Sequence, residues 1–370
     1  MNYDIYKSQN GDNPMKSTVS VPDHLLRRVE LTVSCHDADD LPRVENAGEF
    51  ARHNGHEVQI MHNGIRVLRG GYYGEWTEEI VRRLRGVHEP QQEKAVAAVL
   101  DRLVLNPNSD EPLVCVELGS FWAYYSLWFL EEFTNGRVVC LEPDPAYLQV
   151  GVTNFALNER HGTFLPGAVG LSSDTDAEFV AESDGKSRVT RLYTLESLMK
   201  ETSLSHVDIL FVDIQGAEIP LLEGSQELLR SGKVRFIVVS THDMGTSGSA
   251  MTHRYAEQLL VSAGAHIICE HSVPESFSAD GLIVASFLDG DKDLIIDVSC
   301  ARAIETCVGE WEPQIEHLRA RLSAELEYSR ALRESTSWRM TSVFRWLSER
   351  VRRLTAPTTG IAKPLSGNPE

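Results

Sequence analysis

The sequence predicts an α/β domain built on a mostly parallel sheet, and three features of its middle section lead to that expectation. Short apolar, β-rich runs recur at Leu113–Val116, Val138–Leu141, Val207–Val212 and Val234–Ser240, each reading as a strand buried on both faces. Helix-favouring stretches separate them, which is the alternation of parallel strands joined by crossover helices. Each run then ends in small or acidic residues, and in such sheets ligands bind at the carboxyl ends of the strands.

The elements follow in order. Leu113–Val116 runs into Glu117, Gly119 and Ser120 at a tight turn, and Phe121–Phe133 reads as a helix. Val138–Leu141 stops at Glu142. A carboxylate about 20 residues past the first turn, at the next strand tip, suits hydrogen bonding to the two hydroxyls of a ribose. Glu142-Pro143-Asp144-Pro145 opens a helix over Asp144–Asn158. Thr163–Val169 is a third strand, and Gly167-Ala168-Val169-Gly170 leaves room for an adenine ring to lie on the sheet edge. Val207–Val212 ends in Asp213-Ile214-Gln215-Gly216-Ala217-Glu218, and Val234–Ser240 ends in Thr241-His242-Asp243. A helix from Thr252 to Ala263 precedes a terminal hairpin of His266–Glu270 and Leu282–Phe287.

A nucleoside-containing cofactor is therefore expected across these strand ends. A dinucleotide needs three glycines for close backbone approach to its pyrophosphate. Here the turn holds only Gly119, with Phe121 and Ala123 at the later positions, which argues against NAD or FAD. S-adenosylmethionine carries no phosphate, so one glycine with acidic groups suffices.

The segments VELGSFWAYYS, LEPDP, PGAVG, VDIQGAE and VVSTH resemble the successive motifs of FkbM-type S-adenosylmethionine-dependent methyltransferases. The resemblance covers Glu89 to Asp289, and VDIQGAE is its most specific piece. It implies a Rossmann-like class I methyltransferase fold on a seven-stranded, mostly parallel sheet. Upstream, MHNGIRVL, YYGEW and GVHEPQQEK resemble a pre-domain of a bacterial subset of that family. Two departures stand out: the family usually has an asparagine and a second glycine where this chain has Phe121 and Ala123, and an acid where it has Gln215. The resemblance implies cofactor contacts from Glu117, Gly119, Ser120, Tyr125, Glu142, Pro143, Asp144, Ala168, Val169 and Asp213.

Composition narrows the partners. With 54 acidic against 35 basic residues and a formal charge of −19, the chain lacks the basic footprint that nucleic-acid phosphates require. No apolar run reaches the roughly 18 residues of a spanning helix, and MNYDIYKSQNGDNP has no apolar signal region. The six cysteines include no CxxC pair, and Cys115 and Cys140 fall in expected strands. They read as reduced core thiols, and the expected location is the cytoplasm or the inner face of its membrane.

Residues 1–30 are expected to be disordered or extended, 31–88 to form a small α+β cap, and 89–300 the cofactor-binding domain. Inside the cap, Glu57–Met61 and Gly64–Leu68 read as strands joined at His62-Asn63-Gly64, a hairpin signal. Trp76–Leu84 and Pro90–Leu105 read as helices. Residues 301–355 read as a helical extension, with Ile315, Leu318, Leu322 and Leu326 at helical spacing and Trp338, Phe344 and Trp346 among basic residues. It is similar to tails of bacterial glycosyltransferases and other surface-polysaccharide enzymes. Such a helix suits docking on the domain itself or on a second copy, or else binding a partner such as a glycosyltransferase or a membrane surface. Residues 356–370 are expected to be disordered.

Methyl transfer from a sulfonium is a direct displacement that needs alignment, exclusion of water and disposal of a proton. His242, at a strand tip, is the expected general base, because an imidazole titrates near neutral pH. Asp213 is expected to orient it or the acceptor. From the cap side, His62, Tyr72, Tyr73, Trp76, His88 and Glu89 are expected to line an acceptor pocket with Glu218, aromatic faces stacking on sugar rings and charged groups selecting hydroxyls. His36, Asp37, Asp39, Asp40, His62, His88, Glu89 and Glu93 are types that bind divalent ions, but their spacing matches no metal signature, and no metal is expected. The acceptor expected is a carbohydrate or glycosylated small molecule. A non-sugar hydroxyl, or a catalytically silent module in a glycan-assembly complex, are the alternatives.

Overall fold

In the computed structural model, residues 23–105, 111–173, 175–302, 322–331, 333 and 335 are described. The cap comprises α1 (Asp23–Val33), β1 (Phe50–His53), β2 (His56–Ile60), β3 (Arg66–Leu68) and α2 (Glu75–Arg83), followed by α3 (Pro90–Leu105). The first half of the main sheet follows as β4 (Val114–Leu118), α4 (Tyr124–Glu132), β5 (Arg137–Glu142), α5 (Pro145–Leu157) and β6 (Thr163–Pro166). An inserted sheet holds β7 (Ala168–Val169), β8 (Asp176–Val180) and β9 (Ser187–Tyr193). Then come α6 (Leu195–Glu201), β10 (Val207–Val212), α7 (Glu218–Gly224), α8 (Gln226–Arg230), β11 (Val234–Thr241), α9 (Met244–Ser247), α10 (Thr252–Ser262), β12 (His266–His271) and β13 (Gly281–Ser286).

The seven-stranded sheet has the order β12-β13-β11-β10-β4-β5-β6. Strands β6, β5, β4, β10 and β11 run parallel to one another, and β13 runs antiparallel to both β11 and β12. The chain builds outward from β4 to β6, then returns to the far side of β4 with β10. That reversal opens a crevice at the carboxyl ends of β4 and β10, where ligands of such sheets bind. This is the Rossmann-like order expected of a class I methyltransferase.

Alternation along each strand explains the unbroken apolar runs. Cys115, Ile209, Phe211 and Val238 face a layer with Val99, Leu103 and Phe129 of α3 and α4. Val114, Val116, Leu210 and Val239 face the opposite layer, with Leu198, Leu222 and Leu260 of α6, α7 and α10. Both faces are dry, so neither carries a polar residue on every second position.

The structure corrects several expectations. Residues 23–33 form a helix rather than an extended segment. Asn54 (φ 49°) and Gly55 (φ 83°) turn β1 back onto β2, adding a hairpin ahead of the expected one. The helix expected from Phe121 begins at Tyr124, because Phe121 (φ 40°) and Ala123 (φ 56°) are left-handed. The third strand breaks after Pro166: Ala168–Val169 leaves the main sheet and pairs with β9.

Residues 1–304 form one compact unit that joins cap and sheet, and 305–370 form a second. In the second, residues 322–331 are helical. Ile315, Leu318, Trp338, Phe344, Trp346 and the expected disorder of 356–370 lie outside the described residues. Among the described residues, no helix is long and apolar enough to cross a membrane.

Candidate active site

A cavity of about 340 Å³ opens at the carboxyl ends of β4, β5, β10 and β11, within the size range of small-molecule sites. Every cofactor contact expected from the sequence lines it: Glu117, Gly119, Ser120, Tyr125, Glu142, Pro143, Asp144, Ala168, Val169 and Asp213. Gly119 (φ 76°) is required by close approach, since a Cβ there would lie 1.7 Å from the Asp213 carbonyl oxygen. Its amide donates to Leu141 O at 2.9 Å, and Asp213 N donates to Leu118 O at 2.9 Å, which draws the tips of β4, β5 and β10 together. Ser120 is buried beside it, and its Oγ has no hydrogen bond within normal geometry among the described residues, which leaves a hydroxyl at the cavity wall.

Glu142 ends β5 with both oxygens turned inward. Phe121 N donates to Oε2 at 3.0 Å and Asp144 N to Oε1 at 2.9 Å. Burial pushes its pKa up to about 7 against the lowering effect of those amides. Each carboxylate oxygen keeps a second lone pair, so ribose hydroxyls can return the solvation that burial removed. Burial likewise raises Glu117 to about 8, although Ser126 N donates to it at 3.1 Å. Asp144 is more committed. It caps α5 through Ala146 N (2.9 Å) and accepts Ser183 N (2.9 Å) and Ser183 Oγ (2.8 Å), so its carboxylate serves the fold before any ligand. Aromatic pairs wall the cavity: Phe121 stacks on Tyr147 at 3.6 Å, Tyr72 on Trp122 at 4.2 Å and Tyr125 on Phe211 at 5.1 Å.

At the tip of β11 a second arrangement appears. His242 Nδ1 lies 2.8 Å from Glu218 Oε1, and its Nε2 lies 3.1 Å from Asp213 Oδ1. Burial alone would lower the pKa of this histidine. Hydrogen bonds to Asp213 and Glu218, with the charges of Asp213 and Asp280, outweigh it and raise the value to about 11. Both ring nitrogens of His242 thus face carboxylates, which favours the imidazolium over the neutral base expected from the sequence. Asp213 is the member that faces the cavity.

Tyr72, Tyr73, His88 and Glu89 also line the cavity, but His62, Trp76 and Glu218 do not. His62 is turned inward, with Nδ1 3.0 Å from Pro42 O, Nε2 3.4 Å from Glu93 Oε2 and its ring edge-on to Trp128. Trp76 sits beneath the Arg28 guanidinium beside a smaller recess. Glu218 is fully buried behind His242, where it also accepts Gly216 N. Among the described residues, no three His, Cys, Asp or Glu side chains are placed to hold a metal ion. Asp37 instead ties the cap to the chain's later part, accepting Ser299 N at 2.8 Å and pairing with Lys94 at 3.1 Å. Sequence reasoning missed Tyr147, Phe179, Glu182, Gln92 and Ser240, which line the cavity too. The Asp184-Gly185 turn between alternating β-rich stretches was the available signal for the hairpin that carries Phe179 and Glu182.

Residues 107–267, which span this sheet from β4 into β12, match the methyltransferase FkbM domain. The protein carries an FkbM-type methyltransferase domain. Similar solved structures include a precorrin-6y C5,15-methyltransferase from Geobacter metallireducens GS-15, 15% identical with a TM-score of 0.31 over 52% of this chain and 87% of that one. Magnesium protoporphyrin IX methyltransferase from Synechocystis PCC 6803, with bound SAM, is 12% identical with a TM-score of 0.34 over 53% and 79%. A human methyltransferase 10 domain containing protein is 13% identical with a TM-score of 0.32 over 54% and 83%. At such distances the fold assignment rests on the strand order itself.

Proposed function

We propose that the protein is an S-adenosylmethionine-dependent O-methyltransferase that acts on a sugar hydroxyl, in a bacterial surface polysaccharide, glycolipid or glycosylated metabolite. The observation that carries this reading is Asp213: a half-exposed carboxylate in the cavity wall, at the strand tip beside Gly119, with an imidazolium against its other oxygen. S-adenosylmethionine, when bound, supplies a methyl group on a positively charged sulfur. Glu142, Gly119 and Ser120 are the groups that would hold its nucleoside and amino-acid parts. Asp213 takes the proton of the acceptor hydroxyl, and His242 fixes the carboxylate's orientation. Glu218, buried behind, keeps His242 charged. Tyr72 and Tyr73 offer ring faces to a sugar, and Glu89, oriented by Tyr125 Oη–H at 2.9 Å, accepts a neighbouring hydroxyl.

Mass spectrometry of glycan fractions incubated with the protein and S-adenosylmethionine tests this reading. A methylated sugar product is expected, lost in Asp213→Asn while cofactor binding persists. Methylation confined to non-sugar acceptors, or Asp213→Asn turning over like wild type, would overturn it.

A further inference from the structure

We infer that Tyr73, Glu182 and Gln215 form a clasp across the mouth of the cavity that holds the bound cofactor in place, with Gln215 as a positioning residue. The inference rests on the cofactor reading above. The three residues come from separate segments: the loop between β3 and α2, the turn between β8 and β9, and the loop after β10. All three line the cavity. Tyr73 Oη–H donates to Glu182 Oε2 at 3.3 Å, and Gln215 Nε2 donates to Tyr73 Oη at 3.1 Å. The neighbouring Ser183 is tied to Asp144, so the β8–β9 turn is anchored at a second point beside the cavity.

Two further observations give the clasp a purpose. Tyr73 (φ 44°) and Gln215 (φ 46°) are both left-handed non-glycine residues, a backbone cost of about 1–2 kcal/mol each that the surrounding structure sustains. Tyr73 also meets the edge of Phe121 at 5.3 Å, and the Phe121 amide is a donor to Glu142. The clasp is therefore linked through one aromatic ring to the carboxylate assigned to the ribose. The polarity of the three groups is directional. The phenol gives its proton to Glu182, so the group at 215 must supply one. An amide does so; a carboxylate cannot, and it would place a second negative charge against Glu182.

S-adenosylhomocysteine binding to the full-length protein tests the inference by equilibrium affinity and stopped-flow displacement. Gln215→Glu is expected to weaken binding about 3- to 10-fold, mostly through faster dissociation. Tyr73→Phe, which keeps the ring and removes both bonds, is expected to do the same. Combining Gln215→Glu with Glu182→Gln reverses the two ends and should restore most of the affinity, which a merely structural role for residue 215 would not produce. Wild-type affinity and dissociation rate in Gln215→Glu, or no recovery in the double variant, would overturn the clasp while leaving the cofactor reading standing. No binding by the wild-type protein would overturn that reading and the clasp with it.

Discussion

Two chains of acid, imidazole and acid reach the cavity, one from the cap seam and one from the sheet. In the first, fully buried Glu93 lies 2.6 Å from His88 Nδ1, and His88 Nε2 lies 3.2 Å from Glu89. In the second, fully buried Glu218 holds His242, which in turn holds Asp213. Both histidines are raised against the lowering effect of burial, His88 to about 9 and His242 to about 11. The outer acids differ. The Glu89 side chain is 16% exposed and takes a further hydrogen bond from Tyr125, whereas Asp213 is 50% exposed. The same three groups thus give a chain closed at Glu89 and one open at Asp213, the difference on which the proposed roles rest.

That contrast can be broken first at the outer acids. Asp213→Asn is expected to reduce methyl transfer about 10²- to 10⁴-fold through kcat, whereas Glu89→Gln should cost about 10-fold, mostly in KM. Equal losses in steady-state kinetics would erase the distinction. The inner acids come next. Glu93→Ala and Glu218→Ala each leave a buried imidazolium with one of its two carboxylates and an emptied space beside it, and each should destabilise the fold by about 3–5 kcal/mol in urea unfolding. A loss under 1 kcal/mol at either would show that its histidine is not charged.

The pH dependence then separates the chains. Both folded-state values lie above the unfolded 6.5, so the stabilising contribution is full below that value. It is lost as pH rises, through about 9 for His88 and about 11 for His242. Stability measured from pH 7 upward should therefore fall, and Glu89→Gln, which removes the largest of the influences that raise His88, should take away most of the part centred near 9. A flat profile would contradict both assignments. The smallest expected effect is at Ala123, left-handed and buried against α5: Ala123→Gly should raise stability by about 1 kcal/mol, read as a higher Tm.

That the residues expected at the cofactor share one cavity was legible because backbone geometry brings them together. Buried parallel strands announce themselves as apolar runs, and Gly119 and Glu142 stand where those runs stop. Phe121 and Ala123 stand where glycine or asparagine would be easy, yet both adopt the left-handed backbone, which residue type alone does not reveal. The acceptor half was less legible. The setting of His242 depends on Glu218 and Asp213, and nothing in spacing reveals that these two acids would face both ring nitrogens. His62 looked like a pocket residue from its place at a hairpin turn, but its ring packs inward on Trp128. The β8–β9 hairpin has short, half-exposed strands, so its Asp184-Gly185 turn was its clearest signal.

Calorimetric titration with S-adenosylhomocysteine, on wild type and on Gly119→Ala, addresses the cofactor site most directly. One molecule bound per chain with micromolar affinity, abolished by a methyl group that collides with the Asp213 carbonyl while the protein stays folded, is the expected result. No heat of binding in wild type, or undiminished binding in Gly119→Ala, would contradict the assignment of this cavity.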